Sequence, residues 1–145
     1  MGLCSSSIKY ITKGGALSPE GALIVQPGLN SLSKAVKEAK RRRIKSLLLE
    51  NGVHDEKGEY VEIDFALNII GQNKDDVKIR AGLKITGKKE EDVFFTDLTV
   101  TGAKNNGVLG YCMYNPNTNL WYEGAAMHLK NVRVEKCGGI GVGVS

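Results

Sequence analysis

The stretch VFFTDLTVTGAKNNGV, residues 93–108, decides the fold, because MHLKNVRVEKCGGIGV, residues 127–142, repeats its pattern. Setting the second copy thirty-four positions after the first (93 to 127) brings Val93 onto Met127, Phe95 onto Leu129, Leu98 onto Val132 and Val100 onto Val134. Ala103 then meets Cys137, Gly107 meets Gly141 and Val108 meets Val142. Apolar residues at every second place predict half-buried strands, and Asp97 over Asn131 predicts a tight turn inside each copy. An Asx side chain at such a turn satisfies nearby backbone groups and stacks on its equivalent, so Asp97 and Asn131 are read as a structural ladder.

Shorter pieces precede the long repeat. LNIIG (67–71), LKITG (83–87) and LTVTG (98–102) place Gly71, Gly87 and Gly102 at steps of sixteen and fifteen, with Leu67/Ile69, Leu83/Ile85 and Leu98/Val100 in one phase. Self-similar short segments are the mark of a solenoid, in which each coil buries its apolar side against its neighbours. Glycine is enriched, at 18 of 145 residues, or about 12 per cent against a usual level of about 7. The length suits one domain with room for about four or five coils.

Residues 32–72, LSKAVKEAKRRRIKSLLLENGVHDEKGEYVEIDFALNIIGQ, open with a predicted helix. Asn30 or Ser31 is placed to cap it, Leu32, Ala35, Val36 and Ala39 share one face, and Lys40 to Arg43 fill the last turn, where the helix dipole favours cations. The apolar run in IKSLLLENG predicts a strand buried on both sides. An amphipathic helix, a buried strand, a GVH turn and a paired VEI…LNIIG resemble the opening of the right-handed parallel β-helices of the pectin-lyase-like class, over residues 32–144. The resemblance implies an all-β fold, a short right-handed parallel β-helix with an N-terminal amphipathic capping helix at 31–43. It leaves function open, because that class holds lyases, hydrolases, epimerases, fibre domains and non-catalytic binding modules. Residues 1–29 are then an N-terminal arm and 30–145 the β-helix, with an inserted loop at 109–126.

The two ends carry the next signals. GGIGVGVS offers no helix or charge to cover its coil, so either the chain continues past Ser145 or that open face stacks on a protein partner or on another copy of itself. MGLCSSSIKY fits the myristoylation pattern at Gly2, with Cys4 placed for a second acyl chain, and one chain alone anchors only marginally. Lys9, Lys13 and the run Lys40–Arg43 are candidate charges toward a membrane surface. There is no apolar run of transmembrane length and no secretory leader, which points to a cytoplasmic setting. Three cysteines, Cys4, Cys112 and Cys137, show no motif spacing. A net charge of +4 falls short of a nucleic-acid footprint.

Chemistry is sparse. The outward face of the two copies sets Phe94 over His128, Thr96 over Lys130, Thr99 over Arg133 and Thr101 over Glu135. Glycoside hydrolysis needs two carboxylates across one bond, and this face does not supply them. His54, Asp55 and Glu56 form a polar turn with too few ligands for a metal. No catalytic residue, metal or cofactor is expected.

The loop LGYCMYNPNTNLWYEGAA (109–126) holds Tyr111, Tyr114, Trp121 and Tyr122, four of nine aromatic residues. Loops thrown out from a rigid scaffold carry binding, and Trp and Tyr anchor interfaces. Two functions follow. One is a non-catalytic structural or adaptor protein that binds protein partners in a larger assembly. The other is a carbohydrate-binding or lyase/epimerase-like protein, with a glycan on the loop aromatics beside His128, Lys130, Arg133 and Glu135.

Overall fold

The computed structural model describes residues 16–111, 113–115, 117–118, 120–122 and 124–144. Gly2, Cys4, Lys9, Lys13 and Cys112 lie outside them. Among the described residues the chain is mostly β, largely parallel, with one short helix, α1 (Ser31–Arg42). The strands are β1 (Leu23–Val25), β2 (Gly28–Leu29), β3 (Ser46–Leu49), β4 (Gly52–Ile63), β5 (Leu67–Gly71), β6 (Val77–Ile85), β7 (Val93–Thr101), β8 (Val108–Gly110), β9 (Met113–Asn115), β10 (Leu120–Tyr122), β11 (Met127–Glu135) and β12 (Val142–Val144).

Three parallel ladders run side by side. In the first, β1 pairs β3, β3 pairs β5, β5 pairs the first half of β7, and β7 pairs the first half of β11. The second joins β2 to the start of β4, then to the start of β6, then to the second halves of β7 and β11. A third joins the ends of β4 and β6 to β8 and β12. From β3 onward each pass of the chain therefore lays one strand segment on each ladder in turn, while the first pass runs from β2 into α1. The thirty-four-residue repeat is a pairing register: Val93 faces Met127, Phe95 faces Leu129 and Val108 faces Val142.

Register turns alternation into columns of like side chains. Leu23, Leu47, Ile69 and Phe95 form one, and Val61, Leu83 and Val108 another, all buried. Leu67 and Leu98 also lie inside. Each such side chain stabilises the fold by about 1.5–3 kcal/mol through loss of water contact.

The shorter repeat has another meaning than the one its spacing suggested. LNIIG lies on the first ladder, LKITG on the third and LTVTG on the second, so the three are not stacked neighbours. Steps of fifteen and sixteen are shorter than one pass, so each carries the chain on to a different ladder. Their glycines differ too. Gly102 is left-handed (φ 67), whereas a Cβ on Gly71 would come within 2.1 Å of the Asp97 carbonyl oxygen.

Helix α1 buries the expected face, Leu32, Ala35, Val36 and Ala39, against β1, β3 and β4. Its cap is not the expected one. Asn30 sits in the left-handed region (φ 58) and makes no side-chain cap bond. The N–H groups of Leu32 and Ser33 donate instead to Glu56 Oε2, at 3.0 and 3.3 Å. At the other end, Arg43 turns left-handed and its N–H reaches back to the carbonyls of Ala39 and Lys40.

Three further expectations change. Strand β3 is buried on one side only, through Leu47 and Leu49, with Leu48 turned outward and half-buried. Leu23–Val25 and Gly28–Leu29, assigned to the arm, pair into the first and second ladders. His54–Glu56 are part of β4 rather than a turn. The chain instead bends at Lys57 and Gly58 (φ 58 and 78), where the β4–β6 register shifts.

Candidate functional site

The outward row and the last pass meet on β11. Asp97 and Asn131 both adopt the left-handed conformation (φ 56 and 55), which reverses the side-chain alternation halfway along β7 and β11. Asn131 Nδ2 donates to Asp97 Oδ1 at 2.7 Å, so the two bends are tied to each other. On either side of that bend the outward residues stand in register.

Phe94 and His128 stack with centroids 4.2 Å apart and planes inclined by 12°. Asp92 closes the group: its Oδ2 lies 3.2 Å from His128 Nε2, and its Oδ1 accepts from the Ala126 N–H at 3.1 Å. The Ala126 N–H, then His128, hold the Asp92 carboxyl below the usual aspartate range. Asp92 was missed by sequence reasoning, yet the repeat contained it. One residue before the first copy, it aligns with Ala126, the residue that donates to it.

Beyond the bend the row departs from a plain outward face. Thr99 is buried, and its hydroxyl donates to the Lys74 carbonyl at 2.7 Å. Arg133 sits 3.2 Å from Asp75 and 3.9 Å from Glu135. Asp75 comes from the β5–β6 connection, far away in sequence, with no local signal to announce it. Lys130 faces Thr96 across the ladder and is exposed. The row thus splits into an aromatic pair with an acid and an Arg133 ion-pair cluster, about the Asp97–Asn131 bend.

On the inner side of the same pass the apolar columns come into the open. Leu129 is 38 % exposed where its register partner Phe95 is fully buried, and Val142 is 45 % exposed over a buried Val108. Ile140, 63 % exposed, extends the patch, and Val132, Val134 and Cys137 are half-covered. Among the described residues nothing pairs with the far edges of β11 and β12.

The segment assigned as a loop starts inside β8 and contains a short hairpin. β9 and β10 pair antiparallel, with Trp121 opposite Tyr114 and Tyr122 opposite Met113. The side chains of Tyr114, Trp121 and Tyr122 lie outside the described residues. Tyr111 is half-buried, with Lys84 Nζ 5.2 Å from its ring centre and 5.7 Å from that of Tyr60. One loop aromatic is thereby engaged with the sheet.

The basic run is largely occupied at home: Lys40 Nζ reaches both oxygens of Asp64 at 2.9 Å, and Arg41 and Arg42 pair with Glu38. Among the described residues, no three His, Cys, Asp or Glu side chains converge on a metal position. No described helix is long and apolar enough to cross a membrane. A scan against protein-family models and searches of curated proteins and of solved structures found no match to this chain.

Proposed function

We propose that the chain is a short right-handed parallel β-helix of the pectin-lyase-like kind, working as a non-catalytic structural or adaptor protein. Three ladders, each extended by one strand per pass, are compatible with that architecture. The observation that carries the functional reading is the apolar face of the last described pass. Leu129, Ile140 and Val142 present aliphatic surface beside the unpaired edges of β11 and β12, a combination that a strand-bearing partner or another copy covers best. In this reading the 109–126 segment is presented to protein partners as well, and acylation at Gly2 and Cys4 holds the cytoplasmic assembly at a membrane surface. Sedimentation of the full chain tests it. Association in the micromolar range that is lost in Val142→Lys supports the reading, and a monomer at high concentration with no change in the variant removes it.

A second reading, carbohydrate binding, rests on the Phe94–His128 stack, a flat exposed surface with Asp92 and Lys130 beside it. A glycan array with the wild type, Phe94→Ala and Trp121→Ala decides between them. Binding that depends on both rings favours the sugar reading.

A further inference from the structure

His54 stands where the second ladder carries aliphatic side chains. In register it faces Gly28 on β2 and Ile79 on β6, and Ile79 stacks in turn on Val100. It is fully buried and both ring nitrogens are engaged, Nε2 with the Glu50 carbonyl and Nδ1 with Ser31 Oγ, each at 2.9 Å. A carbonyl oxygen only accepts, so Nε2 carries the proton, and Nδ1 of the neutral ring accepts from the Ser31 hydroxyl. Ser31 is the first residue of α1, and Glu56, 5 % exposed, takes the next two N–H groups of the helix. Two side chains of β4 thus fasten the N-terminal turn of α1, a turn that has no side-chain cap of its own. The fastening at the other end is the exposed Lys40–Asp64 pair.

We propose that His54 and Glu56 form an acid-released latch: protonation of His54 frees the first turn of α1 and uncovers the apolar face the helix covers. An ionised ring has a proton on both nitrogens, so Ser31 would have to turn its hydroxyl from donor to acceptor beside a buried positive charge. The carboxylates of Glu50 and Glu56 favour that charge, but burial outweighs them and holds the imidazole below its ordinary value of 6.5. The other groups facing it carry no charge: Ser31 from α1, Gly28 from β2 and Ile79 from β6. Asp55, the next residue along β4, is tied to Arg80 instead. A depressed imidazole value means that the released form takes up the proton more readily. The fastening is therefore complete above the ordinary imidazole range and weakens as pH falls through it toward the lower folded value.

Hydrogen exchange of the full chain at pH 7.5 and 5.0, corrected for intrinsic rates, tests the latch. Protection of the α1 amides should fall at least tenfold on acidification while β6 and β7 keep theirs. In His54→Gln, whose amide can still donate to the Glu50 carbonyl and accept from Ser31, the step should vanish. A step that survives in the variant, or a loss shared equally by β6 and β7, overturns the proposal. If the variant does not fold, the wild type decides by NMR. The midpoint of the loss must coincide with the titration of the His54 ring, below 6.5, and a midpoint that instead follows His128 or the carboxylates refutes the latch.

Discussion

Phe95 and Leu129 hold the same place in successive passes, thirty-four residues apart and paired in register, yet one is fully buried and the other is 38 % exposed. Val108 and Val142 repeat the contrast with identical residues, fully buried against 45 % exposed. In a stack of parallel strands an apolar side chain is covered by the pass that follows it. Residue type and alternation place a side chain on the inner face, and the neighbouring pass decides whether that placement stabilises anything.

The contrast can be broken most sharply at its ring. Phe95→Ala should lower unfolding free energy by about 3–5 kcal/mol, as aromatic truncations in a closed core do, whereas Leu129→Ala should cost less than about 1 kcal/mol. Chemical denaturation of both variants measures the difference, and equal losses would mean that the last pass is as well covered as the one before it. A comparison of glycines comes next. Gly71→Ala drives a methyl into the Asp97 carbonyl and should cost about 3 kcal/mol, while at Gly141 the nearest atom to a new Cβ, Val134 Cγ1, lies at 3.6 Å and the change should be nearly neutral. Thermal melts of the pair would show whether packing between passes is as tight as the backbone implies.

A smaller effect sits where the two passes are tied together. Asn131→Ala removes the bond to Asp97 and leaves an alanine in the left-handed region, so a loss of about 1–2 kcal/mol is expected. Asn131→Gly, which keeps the backbone freedom without the bond, should recover part of it. The smallest change concerns pH. As His54 is the buried imidazole, the wild type should lose stability between pH 7 and 5 in melts, a slope that His54→Gln should flatten more than His128→Gln does. A slope that disappears with His128 would move the pH dependence from the helix to the outward row.

Much of this was legible before any coordinates. The pairing of Val93–Val108 with Met127–Val142, the buried face of α1 and the inward phase of Leu67, Leu83 and Leu98 all follow from periodicity, because each depends on residues close in sequence or on an unbroken repeat. The failures share a cause as well. LNIIG, LKITG and LTVTG look alike because every inner strand needs the same alternation, and likeness of that kind does not say which ladder a strand joins. Glu56 capping α1, Asp75 on Arg133 and Lys74 over Thr99 join residues more than twenty positions apart, with no repeat to connect them.

The sequence by itself determined the inward phase of Leu67, Leu83 and Leu98, where the helix forms and which two passes are neighbours, since alternation, helical spacing and self-similarity are read along the chain. Only the tertiary structure decided that three ladders share those strands and that a histidine and a glutamate fasten the helix. It also decided that the innermost residues of one pass lie open. Burial and long-range hydrogen bonds belong to pairs of segments, and no single segment encodes its partner.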